Sequence, residues 1–152
     1  MQVMLDRMIA LCVNKFQGKF DKGGKPYILH CLKVMHYVDS EDDELNCIAV
    51  GHDLVEDTDI TFAEFKELYY FSDRIIDGIR ALTKQQGESY DEYLTRVKGN
   101  HDACLVKLAD LRHNSDLRRL KGITEKDIKR LEKYAKAYRD IQFHIHKGTT
   151  CK

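Results

Sequence analysis

The sequence contains no tryptophan, a single proline and no long apolar run. Because proline is the residue that interrupts helices most strongly, its scarcity leaves long stretches free to be helical. No run approaches the roughly 20 apolar residues of a membrane-spanning helix. The first segment mixes Asp6 and Arg7 into its apolar residues and has no small-residue cleavage site. We therefore expect no membrane partner and no secretion signal.

A net charge is also lacking, since Lys plus Arg and Asp plus Glu number 25 each. Without a global positive field, the chain is not expected to bind nucleic acid, and an anionic ligand must be held by a local cluster or a metal. The odd number of cysteines and the absence of a C-x-x-C pair favour reduced, buried thiols in a cytoplasmic protein. These cysteines are Cys12, Cys31, Cys47, Cys104 and Cys151.

Apolar residues recur at spacings of three and four along most of the chain, which predicts an all-α fold. The length fits one domain, 1–152, with a disordered end at about 147–152. The predicted helices cover about 2–15, 26–38, a segment through Ile48 into His52 and Asp53, 61–69, one capped by Ser72, 89–98, 102–114 and one capped by Thr124.

The most informative segment is Gly51-His52-Asp53-Leu54-Val55-Glu56-Asp57-Thr58. His52 and Asp53 place a nitrogen ligand beside an anionic oxygen ligand at the end of an apolar helix, and a divalent cation can use both. Glu56 and Asp57 follow about one turn later, where they can overlook such a metal and accept a proton from water. The alternative is that these two acids are solvated residues at a helix C-terminus, which would oppose the helix dipole.

Two further residues in apolar helical segments could complete a metal site. His30 is flanked by Ile28, Leu29 and Leu32 and, taken alone, fits a hydrogen-bonded core histidine. Asp110 follows the apolar segment 105–109, where a lone buried carboxylate is costly unless it is paired or bound to metal. The four candidate ligands, His30, His52, Asp53 and Asp110, suit Mn²⁺, Fe²⁺, Mg²⁺ or Co²⁺ and disfavour structural zinc, because no thiolate is included.

Four blocks in order resemble the HD-domain hydrolases, and within them the hydrolase domain of the RelA/SpoT alarmone enzymes of the stringent response. The resemblance runs from about Asn14 to Leu120. The blocks are 24–30 (GKPYILH), 52–58 (HDLVEDT), 77–84 (DGIRALTK) and 106–110 (VKLAD) with His113 and Asn114. The resemblance implies a compact helical bundle with one central Mn²⁺ held by the four ligands named above.

The same resemblance assigns the attacking water to Glu56 and Asp57, and it implies removal of pyrophosphate from the 3′ position of guanosine tetraphosphate or pentaphosphate. Lys22 and Asn114 match residues that contact the nucleotide. Lys25 and Arg112 are further candidates for substrate binding. The sequence departs from the family pattern at Asp21, Asp116, Leu117 and Cys31, where the family tends to have Arg, Arg, Thr and Pro.

We therefore predict a metal-dependent nucleotide phosphohydrolase, with guanosine-3′,5′-bis(diphosphate) 3′-pyrophosphohydrolase as the leading activity. Two alternatives stay open: a hydrolase of another phosphorylated nucleotide, and a regulatory module that binds a nucleotide without cleaving it. The expected partner is a small nucleotide substrate. The sequence leaves open whether the protein forms homo-oligomers.

Overall fold

A computed structural model describes residues 3–149, and within that range the secondary structure is helical apart from one isolated antiparallel bridge between Phe20 and Pro26. The predicted all-α fold is confirmed. The helices are α1 Val3–Lys15, α2 Ile28–Val38, α3 Asp43–Gly51, α4 Leu54–Asp57, α5 Phe62–Glu67, α6 Asp73–Leu82, α7 Tyr90–Lys98, α8 His101–Asn114 and α9 Glu125–Thr149, with a 3₁₀ turn at Leu117–Arg119.

Several helices begin at the polar residues that the sequence predicted. In α5 and α7 the N-cap hydroxyl accepts a hydrogen bond from the backbone of a glutamate three residues later, and the glutamate side chain accepts one from the N-cap backbone. These pairs are Thr61 with Glu64 and Ser89 with Glu92, while Ser72 caps α6 and Thr124 exchanges the equivalent bonds with Asp127 before α9.

Helix α3 lies at the centre of the bundle and packs against α1, α2, α6 and α8. Its second half, Cys47 to Val50, is fully buried and apolar on every face, as expected of a helix segment surrounded by others. Because α3 ends inside the protein, the polar residues that follow it are carried into the interior. The position of α3 therefore determines where the functional residues meet.

Three boundaries differ from the sequence prediction. Helix α2 begins at Ile28 and not at Pro26, because Pro26 and Tyr27 pair with the preceding loop. Helix α3 ends at Gly51, and Asp53 adopts φ −101° and ψ 0°, which turns the chain into the short helix α4. Residues 147–149, expected in a disordered tail, continue α9, while residues 150–152 and the first residue of the predicted helix 2–15 lie outside the described residues.

The described cysteines Cys12, Cys31, Cys47 and Cys104 are buried free thiols, as predicted, and Cys151 lies outside the described residues. Within residues 3–149, no helix has the length and apolar composition needed to cross a membrane.

Close approach of α6 to α3 depends on Gly78. A Cβ atom at this position would lie 2.5 Å from Cδ1 of the buried Ile48. We expect Gly78→Ala to lower the free energy of unfolding by about 1–3 kcal/mol, as overpacking of a core does, measured by urea denaturation. The control is Gly148→Ala, where nothing lies within 4 Å of the added methyl group. An unchanged unfolding midpoint for Gly78→Ala would contradict this account of the packing.

Candidate metal centre

The four predicted ligand residues converge at the inner end of α3. His30 comes from α2, His52 and Asp53 follow α3, and Asp110 comes from α8. The Nε2 atom of His52 lies 3.0 Å from Oδ2 of Asp53 and 3.4 Å from Oδ1 of Asp110. The Nε2 atom of His30 lies 3.1 Å from the same Asp110 oxygen and 3.6 Å from the same Asp53 oxygen. Two imidazole nitrogens and two carboxylate oxygens thus face one another.

Burial and hydrogen bonding at this cluster fit a divalent cation. His30, His52 and Asp110 are each at most 5% exposed. The Nε2 atom of His52 is buried without a hydrogen-bond partner, although it faces the carboxylates. Buried polar atoms are normally satisfied, and the buried carboxylate of Asp110 beside the half-buried carboxylate of Asp53 favours a cation between them. His30, His52 and Asp53 form a group whose ligand atoms lie within 4.8 Å of one another. The donor set fits a first-row divalent metal.

The electrostatics keep the two carboxylates ionised. Burial alone would raise the pKa of Asp110, but Lys107 and the two histidines lower it well below its ordinary value. Burial likewise opposes ionisation of Asp53, and His52 lowers the pKa of that carboxyl. Both groups therefore present anionic oxygens to a metal.

The outer nitrogens of the two histidines orient the rings. The Nδ1 atom of His52 lies 2.7 Å from the carbonyl oxygen of Ala49, which can only accept, so Nδ1 carries a proton and Nε2 is the nitrogen that faces the carboxylates and would bind a metal. The Nδ1 atom of His30 lies 2.7 Å from Nδ1 of His113. If Nε2 of His30 is a ligand, its Nδ1 is the donor and His113 the acceptor. Burial, with Arg119 nearby, lowers the pKa of His113 to about 4, which keeps that ring neutral.

This acceptor role gives a testable consequence for metal affinity. We expect His113→Ala to weaken metal binding by about 10–100-fold, the usual effect of removing a partner of a ligating histidine, and His113→Asn to restore part of it by supplying an acceptor oxygen. Metal titration by calorimetry measures both. His101→Ala, at the exposed start of α8, serves as control. Equal affinity in wild type and His113→Ala would show that His30 is oriented without this bond.

Three neighbouring side chains hold the carboxylates in place. The hydroxyl of Tyr27 donates to Oδ2 of Asp53 at 2.5 Å. Lys107 donates to Oδ2 of Asp110 at 2.8 Å, and the amide of Asn114 donates to Oδ1 of Asp110 at 2.9 Å. Sequence reasoning gave no role to Tyr27 or Lys107. The spacing of Lys107 three residues before a buried carboxylate is a signal that could have identified it.

Glu56 and Asp57 lie on α4 at the solvent-exposed edge of this cluster. Ligand atoms of Asp53, Glu56 and Asp57 lie within 4.8 Å of one another. Oε1 of Glu56 accepts a hydrogen bond of 2.8 Å from the backbone of Lys84, which directs that carboxylate. Partial burial raises the pKa of Glu56, and burial with the charge of Asp53 raises the pKa of Asp57 to about 6. A carboxylate of raised pKa is a stronger proton acceptor than an ordinary one.

A cavity of about 360 Å³ opens beside the metal-ligand cluster. It shares Tyr27 and Asn114 with that cluster, since these residues bind Asp53 and Asp110. Lys22, one of the residues predicted to bind substrate, also lines this cavity. Its lining is Phe20, Asp21, Lys22, Gly23, Tyr27, Asn114, Asp116, Arg119, Leu120, Arg130 and Tyr134. We call this space the nucleotide cavity.

The structure does not bring the other two predicted substrate residues to the nucleotide cavity. Arg112 lies over the ring of Tyr37, with 4.0 Å from its guanidinium carbon to the ring centre, and faces a different depression between α8 and α9. Lys25 is exposed on the loop before α2. Arg119 and Arg130, which sequence reasoning missed, line the cavity instead.

The sequence of this chain is similar to those of known pyrophosphohydrolases. No protein-family model matches the chain. The chain is 34% identical over 110 residues to the guanosine-3′,5′-bis(diphosphate) 3′-pyrophosphohydrolase MESH1 of Danio rerio, covering 66% of this chain and 60% of that protein. It is 31% identical over 109 residues to the guanosine-3′,5′-bis(diphosphate) 3′-pyrophosphohydrolase of Haemophilus influenzae, covering 64% of this chain and 16% of that protein.

A solved structure shares the fold. It is described as a metazoan ortholog of SpoT that hydrolyzes ppGpp, and it superposes with a TM-score of 0.73 over 91% of this chain and 84% of that one, at 23% identity. The predicted resemblance to RelA/SpoT-type hydrolases and the predicted HD bundle are therefore confirmed. The chain spans about a sixth of the Haemophilus influenzae relative and less than two thirds of the Danio rerio one.

Proposed function

We propose that this chain is a metal-dependent nucleotide phosphohydrolase, and that its reaction is the removal of pyrophosphate from the 3′ position of a guanosine alarmone. One observation carries the proposal: two buried imidazoles, the buried carboxylate of Asp110 and the half-buried carboxylate of Asp53 converge next to an acidic pair and a cavity of suitable size for a nucleoside. The names of the similar proteins point to the same activity.

His30, His52, Asp53 and Asp110 would hold the metal. We propose Mn²⁺, with Fe²⁺, Mg²⁺ and Co²⁺ as alternatives of similar donor preference. When bound, such an ion supplies Lewis acidity, which neutralises phosphate charge and lowers the pKa of the attacking water.

The acidic pair performs the proton transfer in this proposal. As the oxygen of water forms a bond to phosphorus, a carboxylate of Asp57 or Glu56 accepts the water proton. The bond between phosphorus and the ribose 3′ oxygen breaks, and that oxygen takes up a proton from solvent to leave as a hydroxyl. Tyr27, Lys107 and Asn114 keep the ligand carboxylates oriented during this step through the hydrogen bonds described above.

Specific residues favour or disfavour the two alternative functions that the sequence left open. A module that only binds a nucleotide has no use for Glu56 and Asp57 beside the ligand cluster, so we favour catalysis. Another phosphorylated nucleotide as substrate is favoured by Asp21 and Asp116, because both carboxylates line the nucleotide cavity.

Turnover of a nucleotide panel tests the proposal. Purified protein with Mn²⁺ is expected to release pyrophosphate from guanosine tetraphosphate and to leave guanosine 5′-diphosphate, with little release in the presence of a chelator. If no phosphorylated nucleotide is hydrolysed with any divalent metal, the hydrolase assignment is wrong. If only adenine nucleotides are hydrolysed, the choice of base is wrong and the reaction class stands.

A further inference from the structure

We infer that the nucleotide cavity accepts the base and ribose of the substrate. It provides no specific subsite for phosphate groups at the 5′ position. The inference rests on the proposed function, in which the 3′ phosphates face the metal ligands. It narrows the substrate class to nucleotides whose recognition depends on the 3′ phosphates and the nucleoside. It follows from how the charged residues of the cavity are already paired.

Arg119 lines the cavity, and both of its terminal nitrogens donate hydrogen bonds within the protein. Nη2 donates to Oδ2 of Asp21 at 3.0 Å. Nη1 donates to the carbonyl oxygen of His113 at 3.1 Å and to the side-chain oxygen of Asn114 at 3.0 Å. The Arg119 and Asp21 side chains are only 19% and 10% exposed. A phosphate that took the place of Asp21 at Nη2 would leave a nearly buried carboxylate without its partner.

The remaining charges of the cavity are also balanced. Nη1 of Arg130 lies 3.1 Å from Oδ1 of Asp127. Asp116 is paired with Arg118 at 2.8 Å, but it still adds a second carboxylate to the lining. Among the cationic side chains that line the cavity, Lys22 is the one for which the described residues show no ion pair. A terminal phosphate carries about −1.5 to −2 charges, and one uncommitted lysine beside two carboxylates is a poor match for it.

Uncharged groups of a nucleoside fit the same lining better. Phe20 is 64% exposed at the edge of the cavity, although large aromatic side chains are usually buried. Backbone bonds from Asp21 to Lys25 and from Tyr27 to Lys19 hold the loop that carries it. An aromatic face can stack on a base, and the carboxylates of Asp21 and Asp116 can accept hydrogen bonds from ribose hydroxyls or base N–H groups.

A series of three guanosine 3′-diphosphates that differ only at the 5′ position tests the inference. One carries a 5′ hydroxyl, one a monophosphate and one a diphosphate. We expect kcat/KM values within about threefold of one another, as for charges that meet no specific partner. A rise of about tenfold or more with 5′ phosphorylation, the effect of a charge-assisted hydrogen bond, would overturn the inference. If none of the three is hydrolysed, the proposed function fails instead.

Removing the charge of Asp21, the ion-pair partner of Arg119, should create a subsite for a 5′ phosphate. We expect Asp21→Asn, which keeps the shape of the side chain, to raise the preference for the 5′-diphosphate over the 5′-hydroxyl substrate by about tenfold, because the guanidinium gains a free charge-assisted donor. The matched control is Asp77→Asn, which removes the carboxylate partner of the exposed Arg80 on α6 and should leave the preference unchanged. An unchanged preference in Asp21→Asn would show that Asp21 does not block phosphate binding.

A binding measurement without turnover completes the test. The chain has no tryptophan, so Phe20→Trp introduces a single fluorophore at the cavity edge. In metal-free buffer, guanosine and guanosine 5′-diphosphate should quench it with dissociation constants within about threefold of each other. Phe143→Trp, 69% exposed on α9, is the control and should not respond. Quenching by the diphosphate alone, no quenching by either ligand, or equal quenching in the control would each overturn the inference.

Discussion

Replacing Asp53 by alanine is expected to remove metal-dependent turnover almost completely. Asp53 supplies the carboxylate oxygen that lies 3.0 Å from Nε2 of His52 and 3.6 Å from Nε2 of His30, so it is central to the ligand cluster. Since a catalytic metal contributes several kcal/mol to transition-state stabilisation, the loss in kcat/KM should be about 10³-fold or more. Metal affinity, measured by calorimetry, should fall in parallel.

The control for this variant is Asp59→Ala, six residues further along the chain. Asp59 is 82% exposed and pairs with Lys15 on the surface, so its removal should leave turnover and metal affinity unchanged. Helical circular dichroism of both variants establishes that they are folded. Turnover that survives in a folded Asp53→Ala protein would refute the assignment of the metal ligands.

Glu56→Gln and Asp57→Asn are expected to separate catalysis from metal binding. Neither residue is required as a ligand, and loss of a general base lowers kcat by about 10²–10⁴-fold. Glutamine at position 56 keeps an oxygen to accept the hydrogen bond from the backbone of Lys84, so the local structure should be retained. Metal affinity should stay within a few-fold of wild type, because the four proposed ligands are intact.

An exposed glutamate away from this edge provides the comparison. Glu67→Gln, at the end of α5, changes the same functional group and should leave kcat unchanged. If both acidic variants retain full kcat, water activation belongs to another group and the proposed mechanism is wrong. If they lose metal affinity as strongly as Asp53→Ala, the pair is part of the coordination shell.

The sequence was sufficient to predict the convergence of the metal-ligand candidates. His30 and Asp110 are polar residues in apolar helical segments, and burial without a partner would be costly for both. A common metal site satisfies both residues, which is why the sequence predicted one. The capping residues likewise predicted the starts of α5, α6 and α7, because capping depends on contacts within four residues. Interactions between residues close together in the sequence can be predicted from the sequence alone.

Contacts between distant parts of the chain were not predictable in the same way. Asp21 and Arg119 are 98 positions apart, and no sequence pattern around either residue predicts their contact. The residues predicted to bind substrate are therefore the part of the site where structure and sequence prediction differ most. Arg112 packs over the ring of Tyr37, while Arg119 and Arg130 line the nucleotide cavity. The break after Gly51 was also missed, since the apolar pattern continues through Leu54 and only the backbone of Asp53 shows the turn.

Gly23 links the loop before α2 to the charge pattern of the nucleotide cavity. A Cβ atom at this position would lie 2.3 Å from the carbonyl oxygen of Arg119, so any other residue must push the two backbones apart. The pairing of Arg119 with Asp21 depends on that approach, because both residues adjoin the contact. A neutral substitution that touches no ligand could thus redistribute charge in the cavity. Substrate preference in such proteins can diverge through a backbone contact while every charged residue is preserved.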